Sequence, residues 1–280
     1  MNAYKNHRII YVHIPKTAGT TLNTIIERHY PPEKRFSLGP RAQEDVARFK
    51  ALSAAERARI WMLNGHLAYG LHDYLPGPTA YFTILREPID RIVSFYYFVH
   101  RNPQHYLYDF THRTDDGLRA YLDRKVTIMV DNFQTRFVSG VWDQYPFGEL
   151  PPEVLELAKA NLRHKFAVVG LTERFDETLL LLSRAFGWRR ILYTRQNVTA
   201  DRPPKASLDA DTLAALTAAN QMDLALYAYG QELFAARIAA QGPLFPAQVR
   251  LFQTANRVAT PLIAAYWRLR RFSLRAYLRS

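Results

Sequence analysis

Between Ile9 and Leu22 the chain passes from an apolar, branched run through Pro15-Lys16 into small and hydroxyl-bearing residues around Gly19. An apolar-periodic segment follows, so the order reads as strand, tight turn and helix start. A helix N-terminus presents backbone N–H groups and the positive end of its dipole, which suits an anion. Lys16 adds a full charge, and Thr17, Thr20 and Thr21 add hydroxyl donors. Residues 15–21 therefore read as a phosphate-type cradle. The pattern G-x-x-x-x-G-K-[ST] is absent: Lys16 precedes Gly19, and no hydroxyl follows the lysine inside a helix already begun, as a Mg²⁺ ligand of that type requires. No metal is expected here. The plainer alternative is a strand–loop–helix joint whose threonines only cap the helix.

A second cluster starts from Tyr81–Leu85, a buried strand by pattern, and continues through Arg86-Glu87-Pro88 into a helix. Pro88 fits the first helical position, where its missing N–H has no intrahelical partner to lose. Arg86 then falls at the carboxyl end of a strand, where open α/β sheets bind ligands. Arg91 and Ser94 are spaced i, i+3 and share a helix face. The planar fork of arginine gives bidentate bonds to phosphate, so Arg86 with Ser94 suits a second phosphate. The alternative pairs Arg86 with Glu87 or Asp90 and leaves Ser94 facing a neighbouring element.

Together the two clusters resemble the donor-binding signatures of carbohydrate sulfotransferases that use 3′-phosphoadenosine 5′-phosphosulfate (PAPS), nearest to the heparan sulfate 2-O-sulfotransferase branch and its bacterial relatives. Gly65-His66, Asp131–Phe137, Val169–Asp176 and Tyr193–Val198 carry the same likeness, which spans about residues 8–235. The resemblance implies that Pro15, Lys16, Thr17, Ala18, Gly19, Thr20 and Thr21 hold the 5′-phosphosulfate, and that Arg86 and Ser94 hold the 3′-phosphate. It implies in-line sulfuryl transfer from PAPS to a hydroxyl of a carbohydrate or glycolipid acceptor. Lys16 assists the leaving phosphate, and His66 of the Gly-His pair acts as general base, with His72 in reserve. His13 stands where some relatives carry arginine, and it is expected on the phosphosulfate or acceptor side. Gln134 and Arg136 are expected to meet the acceptor, the alternative being a solvated turn. Arg195 and Asn197, near Arg202-Pro203-Pro204-Lys205, read as a basic loop closing over donor or acceptor, with Arg195 on the donor.

Composition narrows the classes. With no cysteine the chain has no disulfide framework, thiolate metal site or cysteine nucleophile. Hydrophobic residues make up 48 %, enough for one sizeable core in 280 residues. The apolar run at the start is too short for a signal peptide, and no stretch approaches a spanning helix. The expectation is a soluble bacterial protein in the cytoplasm, touching the inner face of the membrane. The net charge of +12 fits an anionic nucleotide and an anionic glycan. Seven arginines and no acidic residue fall within 244–280, set off by Gln241-Gly242-Pro243. This gives a catalytic domain over 1–243 and a basic helical tail over 244–280. On a helical wheel Arg268, Arg271, Arg275 and Arg279 share one face, which suits anionic lipid; a helix packed on the domain is the alternative. Two other classes compete: a P-loop-like kinase, and a non-enzymatic membrane or nucleic-acid binder. Nucleic acid is the less expected partner.

Strands are expected at 8–14, 60–64, 81–86, 165–171 and 190–194, and helices at 20–30, 42–59, 88–101, 117–125, 128–138, 151–163, 175–186, 209–219 and 221–240. Residues 31–41 read as a linker, 102–117 as a loop, and 247–280 as one or two helices. The alternation predicts an α/β fold, a central parallel β-sheet flanked by helices in a P-loop-like nucleotide-binding architecture.

Overall fold

The computed structural model describes residues 3–39, 41–113, 117–194 and 208–277. Five strands form one all-parallel sheet: β1 (Arg8–Val12), β2 (Arg35–Leu38), β3 (Met62–Gly65), β4 (Thr79–Leu85) and β5 (Phe166–Leu171), in the order β2-β3-β1-β4-β5. Ile9, Ile10, Tyr11 and Val12 are all buried, as expected for a central strand covered on both faces. The register aligns the strand tips: Val12 pairs with Gly65 and Thr83, Leu38 with Gly65, and Leu85 with Leu171. The segments leaving β1, β3 and β4 therefore emerge side by side at the carboxyl edge.

The helices are α1 (Gly19–Glu27), α2 (Ala42–Ala51), α3 (Ala54–Arg59), α4 (Pro88–His100), α5 (Tyr108–Arg113), α6 (Arg119–Asp123), α7 (Phe133–Ser139), α8 (Glu153–His164), α9 (Phe175–Phe186), α10 (Ala210–Ala219), α11 (Gln221–Ala239) and α12 (Phe245–Tyr277). Several differ from the sequence expectation. The 31–41 linker contains edge strand β2, only four residues long. The 42–59 helix breaks at Leu52, because Ser53 starts a new helix with a capping box: Glu56 N donates to Ser53 Oγ, and Ser53 N to Glu56 Oε2. The 102–117 loop contains α5. Residues 190–194 are not a strand; Tyr193 N donates to Asn256 Oδ1 at 2.7 Å, so a side chain of α12 takes the bond a sheet neighbour would. Within the basic tail, Phe245–Tyr277 form a single helix, and Phe245, Val249 and Phe252 in its first turns join the core beside the sheet. No described helix is long and apolar enough to cross a membrane.

The expected 128–138 helix is a short turn followed by α7, because Asn132 takes a left-handed φ of 46°. Its side chain is used in place of helical continuity. Asn132 Oδ1 accepts from Met222 N at 3.0 Å and Asp223 N at 3.1 Å, capping α11. In return Asp223 accepts from Gln134 N, Thr135 N and Thr135 Oγ1 at 3.1, 2.7 and 2.8 Å, capping α7. Asn220 closes the joint, accepting from Asn132 N at 2.9 Å and donating to Val130 O at 2.8 Å. Asn132, Gln134, Thr135, Asn220 and Asp223 are all buried, so their bonds prevent orphaned polar groups. Replacing Asn220 by alanine leaves the Asn132 amide and the Val130 carbonyl without their side-chain partner. The expected loss of unfolding free energy in urea is about 2–4 kcal/mol; a loss within the ~0.5 kcal/mol typical of surface changes contradicts the capping role.

Candidate active site at the strand tips

The cradle leaves β1 at His13 and enters α1 at Gly19. Lys16 and Ala18 hold positive φ values of 73° and 63° without being glycine. Such backbone costs on the order of 1–3 kcal/mol per residue and persists where its surroundings fix it. Thr17, buried, donates to Ile14 O at 2.7 Å and fastens the turn. No acidic residue lies in the first turn of α1, so no local carboxylate neutralises the positive dipole end.

Arg86, directly after β4, donates from Nη1 to Lys16 O at 3.0 Å. The two sequence clusters thus meet through a bond spanning 70 residues. Lys16 Nζ lies 4.2 Å over the ring of Phe98, which places the lysine against α4. Ser94 is half-buried in the middle of the same helix. Beneath them Arg91 is fully buried. Its Nη2 donates to Met129 O at 2.5 Å and its guanidinium lies 5.4 Å from the Phe133 ring centroid. Burial lowers its pKa to about 10, with Asp223 opposing the shift and Arg86 adding to it, so it stays charged at neutral pH.

The histidine side of the site is a column of rings. Phe82 stacks on Tyr11 (4.6 Å, 2° between planes), Tyr11 on His13 (5.2 Å, 20°), and His13 meets His66 at 4.9 Å. Gly65 sets the outer end. Its φ is +127°, and a Cβ there would lie 2.0 Å from Leu38 O. Hydrogen bonds from His13 N to Gly65 O (3.1 Å) and from His66 N to Leu38 O (3.3 Å) hold the segment against β1 and β2. Gly19 makes room for His13 within the column, since a Cβ there would overlap His13 Nε2 at 1.7 Å. Burial lowers the pKa of both histidines; for His13 the neighbouring His66 and the charge of Lys16 lower it further. Both rings are therefore neutral near pH 7, the form a proton acceptor needs. His72 is elsewhere: its Nδ1 meets Tyr81 Oη at 2.9 Å, and Tyr81 pairs with Ile10 in mid-sheet.

The expected acceptor contacts of Gln134 and Arg136 do not match their placement. They are 1 % and 0 % exposed. Arg136 is occupied by Asp131 Oδ2 (2.6 Å) and by the carbonyls of Asp131, Tyr145 and Pro146 (3.1, 2.8 and 2.9 Å). Gln134 donates to Arg86 O at 2.8 Å and accepts from Arg86 N at 3.0 Å. A buried amide and a buried guanidinium must be fully bonded, and here the protein itself supplies the partners. Arg195, Asn197 and Arg202–Lys205 lie outside the described residues. Thr172 falls within the Val169–Asp176 segment already noted for its likeness, though not with this role; Asp223 and Asn220 show no such mark, and the one local hint is the run of capping residue types around the start of α11, since their roles depend on segments some 90 residues away. Among the described residues no group of three or more His, Asp or Glu is placed to hold a metal.

The family model of galactose-3-O-sulfotransferase matches residues 2–263. Galactose-3-O-sulfotransferase 3 of Bos taurus is 27 % identical over 262 residues, 85 % of this chain and 59 % of that protein. Heparan sulfate 2-O-sulfotransferase hst-2 of Caenorhabditis elegans is 25 % identical over 202 residues, 62 % of this chain and 58 % of its own length. Human heparan-sulfate 6-O-sulfotransferase 1 is 24 % identical over 274 residues, covering 82 % and 66 %. The chain thus spans about 60 % of the length of the first two relatives. The solved mouse sulfotransferase SULT7A1 complexed with PAP aligns over 76 % of this chain and 63 % of its own, with a TM-score of 0.38 and 15 % identity.

Burial depresses both imidazole pKa values in the ring column, so the unfolded chain, with histidines near 6.5, takes up protons before the folded one as pH falls. The histidine contribution to stability is complete above about pH 6.5 and is lost as pH drops towards the folded values. In an NMR titration the ring signals of His13 and His66 are expected to remain those of neutral imidazole at pH 6.5, with His13 titrating last. Midpoints at or above 6.5 contradict the buried column.

Proposed function

The chain belongs to the galactose-3-O-sulfotransferase family, and from that premise we propose that it transfers a sulfuryl group from PAPS to a hydroxyl of a carbohydrate. The observation that carries the reading is the Arg86–Lys16 bond, which joins a cradle at a helix N-terminus to a cationic strand tip, as a nucleotide with phosphates at both ends of its ribose requires. When bound, the donor supplies the activated sulfuryl group. Lys16 and the backbone of Thr17, Ala18, Gly19, Thr20 and Thr21 hold its phosphosulfate end, and Lys16 offsets the charge growing on the leaving phosphate. Arg86 and Ser94 hold the 3′-phosphate, with the buried charge of Arg91 adding to the positive field. His66 accepts the proton of the acceptor hydroxyl, and His13 holds the His66 ring in place. Pro15 stiffens the entry to the cradle, and Arg195, which lies outside the described residues, binds the donor.

The acceptor is read as a carbohydrate without naming its hydroxyl, because the relatives' names differ in sugar and position at comparable identity. The net charge of +12 favours an anionic glycan. In this reading residues 1–243 carry the catalytic groups, with the first turns of α12 packed into their core, and the seven arginines of 244–280 bring the unit to an anionic membrane face where glycolipid acceptors lie.

Two measurements test the reading. Adenosine 3′,5′-bisphosphate is expected to raise the melting temperature without Mg²⁺; stabilisation only by ATP with Mg²⁺ favours a kinase, and none by either, with steeply salt-dependent DNA binding, favours a non-enzymatic binder. In sulfate transfer from PAPS to a glycan panel, His66→Ala is expected to lower turnover roughly 10²–10⁴-fold while bisphosphate binding survives. Lys16→Ala is expected to lower both binding and turnover. A His66→Ala protein as fast as the parent removes the base assignment.

A further inference from the structure

The turn that carries Arg86 is held in an unusual way. It joins β4 to α4, yet its backbone polar groups are bonded by three side chains from two other segments. Leu85 O accepts from Thr172 Oγ1 at 3.1 Å, and Glu87 N donates to Glu173 Oε1 at 2.9 Å, both from the segment after β5. Between them Gln134 takes both Arg86 N (3.0 Å) and Arg86 O (2.8 Å) with one amide. Glu87 in turn caps α4 through Asp90 N at 2.7 Å. Gln134 itself cannot drift, because its own N–H is bonded to buried Asp223 and its neighbour Thr135 is bonded twice to the same carboxylate. An ordinary surface turn meets water at these groups. Here the peptide before and after one arginine is fixed from outside, and the arginine side chain reaches back to Lys16 O.

We propose that Gln134 is a positioning residue for nucleotide selectivity: by clamping the Arg86 backbone it fixes the guanidinium where the 3′-phosphate of the donor docks. The role rests on the donor reading given above and adds to it a residue that touches no ligand. A pre-set guanidinium binds phosphate without first being ordered, so the clamp acts on affinity for the 3′-phosphate and leaves the phosphosulfate cradle alone. Gln134→Met keeps the length and volume of the side chain and removes both bonds to Arg86.

The experiment is calorimetric titration of the full chain with adenosine 3′,5′-bisphosphate and, separately, adenosine 5′-monophosphate, which lacks the 3′-phosphate. The ratio of the two affinities is the readout. In Gln134→Met the ratio is expected to fall on the order of ten- to a hundredfold, with monophosphate affinity unchanged. A ratio equal to that of the parent overturns the inference, and so does a parallel loss for both nucleotides, which marks general damage. If Gln134→Met does not fold, Gln134→Asn decides: one methylene shorter, its amide no longer spans both Arg86 N and Arg86 O, and a lowered ratio supports the clamp whereas an unchanged one overturns it. A parent protein that does not prefer the bisphosphate overturns the donor reading itself and this inference with it; a selective parent with an equally selective variant overturns the inference alone.

Discussion

The guanidinium of Arg86 bonded to the carbonyl of Lys16 is the interaction on which the site depends. Lys16 sits in a left-handed backbone conformation that an isolated chain disfavours, and its carbonyl is directed by that conformation. The bond holds the cradle turn against the neighbouring strand tip. The cradle turn also keeps its own fastening from Thr17 to Ile14 O, while on the other side of the bond the Arg86 backbone is held by Gln134 and flanked by bonds from Thr172 and Glu173. Gln134 depends on Asp223, and Asp223 on the first turn of α11, which Asn132 caps. A chain of hydrogen bonds therefore runs from the half-buried cradle and Arg86 to a helix more than 200 residues later in sequence, and its inner links, Gln134, Asp223 and Asn132, are buried groups that are costly to leave unpaired.

The same edge of the sheet solves a second problem, the placing of a basic ring. A histidine on a mobile loop titrates near 6.5 and adopts many rotamers. His66 instead ends a stack that begins at Phe82 in the core and passes through Tyr11 and His13. Burial keeps the two imidazoles neutral, so the stack sets orientation and protonation together. Two glycines allow it: Gly65 by letting β2 approach its backbone, and Gly19 by leaving space for the His13 ring.

Buried charge is concentrated behind these features. Arg91, Arg136, Asp131 and Asp223 are all buried. The Arg136–Asp131 pair is fully bonded, and removing one member of such a pair typically costs about 3–5 kcal/mol. Arg91 is different: its Nε and Nη1 have no hydrogen-bond partner among the described residues, and it is sustained by Met129 O, an aromatic face and the field of Asp223. A charge kept so poorly solvated adds positive potential beneath Arg86.

Local chemistry made part of this legible in the chain itself. The branched runs at β1, β4 and β5, the Pro88 start of α4, the break after α11 and the two cationic clusters follow from side-chain type and short-range spacing, which act within one or two turns of backbone. Short β2 did not declare itself, because four residues carry too little pattern, and 190–194 looked like a strand because burial alone favours the same residue types. Gln134 and Arg136 looked available for an acceptor because polar side chains in sequence carry no mark of their depth. The strand order, the meeting of Lys16 with Arg86, the ring stack and the reciprocal caps were decided only on folding, since each joins segments between about 50 and 90 residues apart or groups whose pairing depends on which strand lies beside which. Amino-acid sequence set which groups were present; packing of the sheet decided which of them face one another and which are sealed away from water.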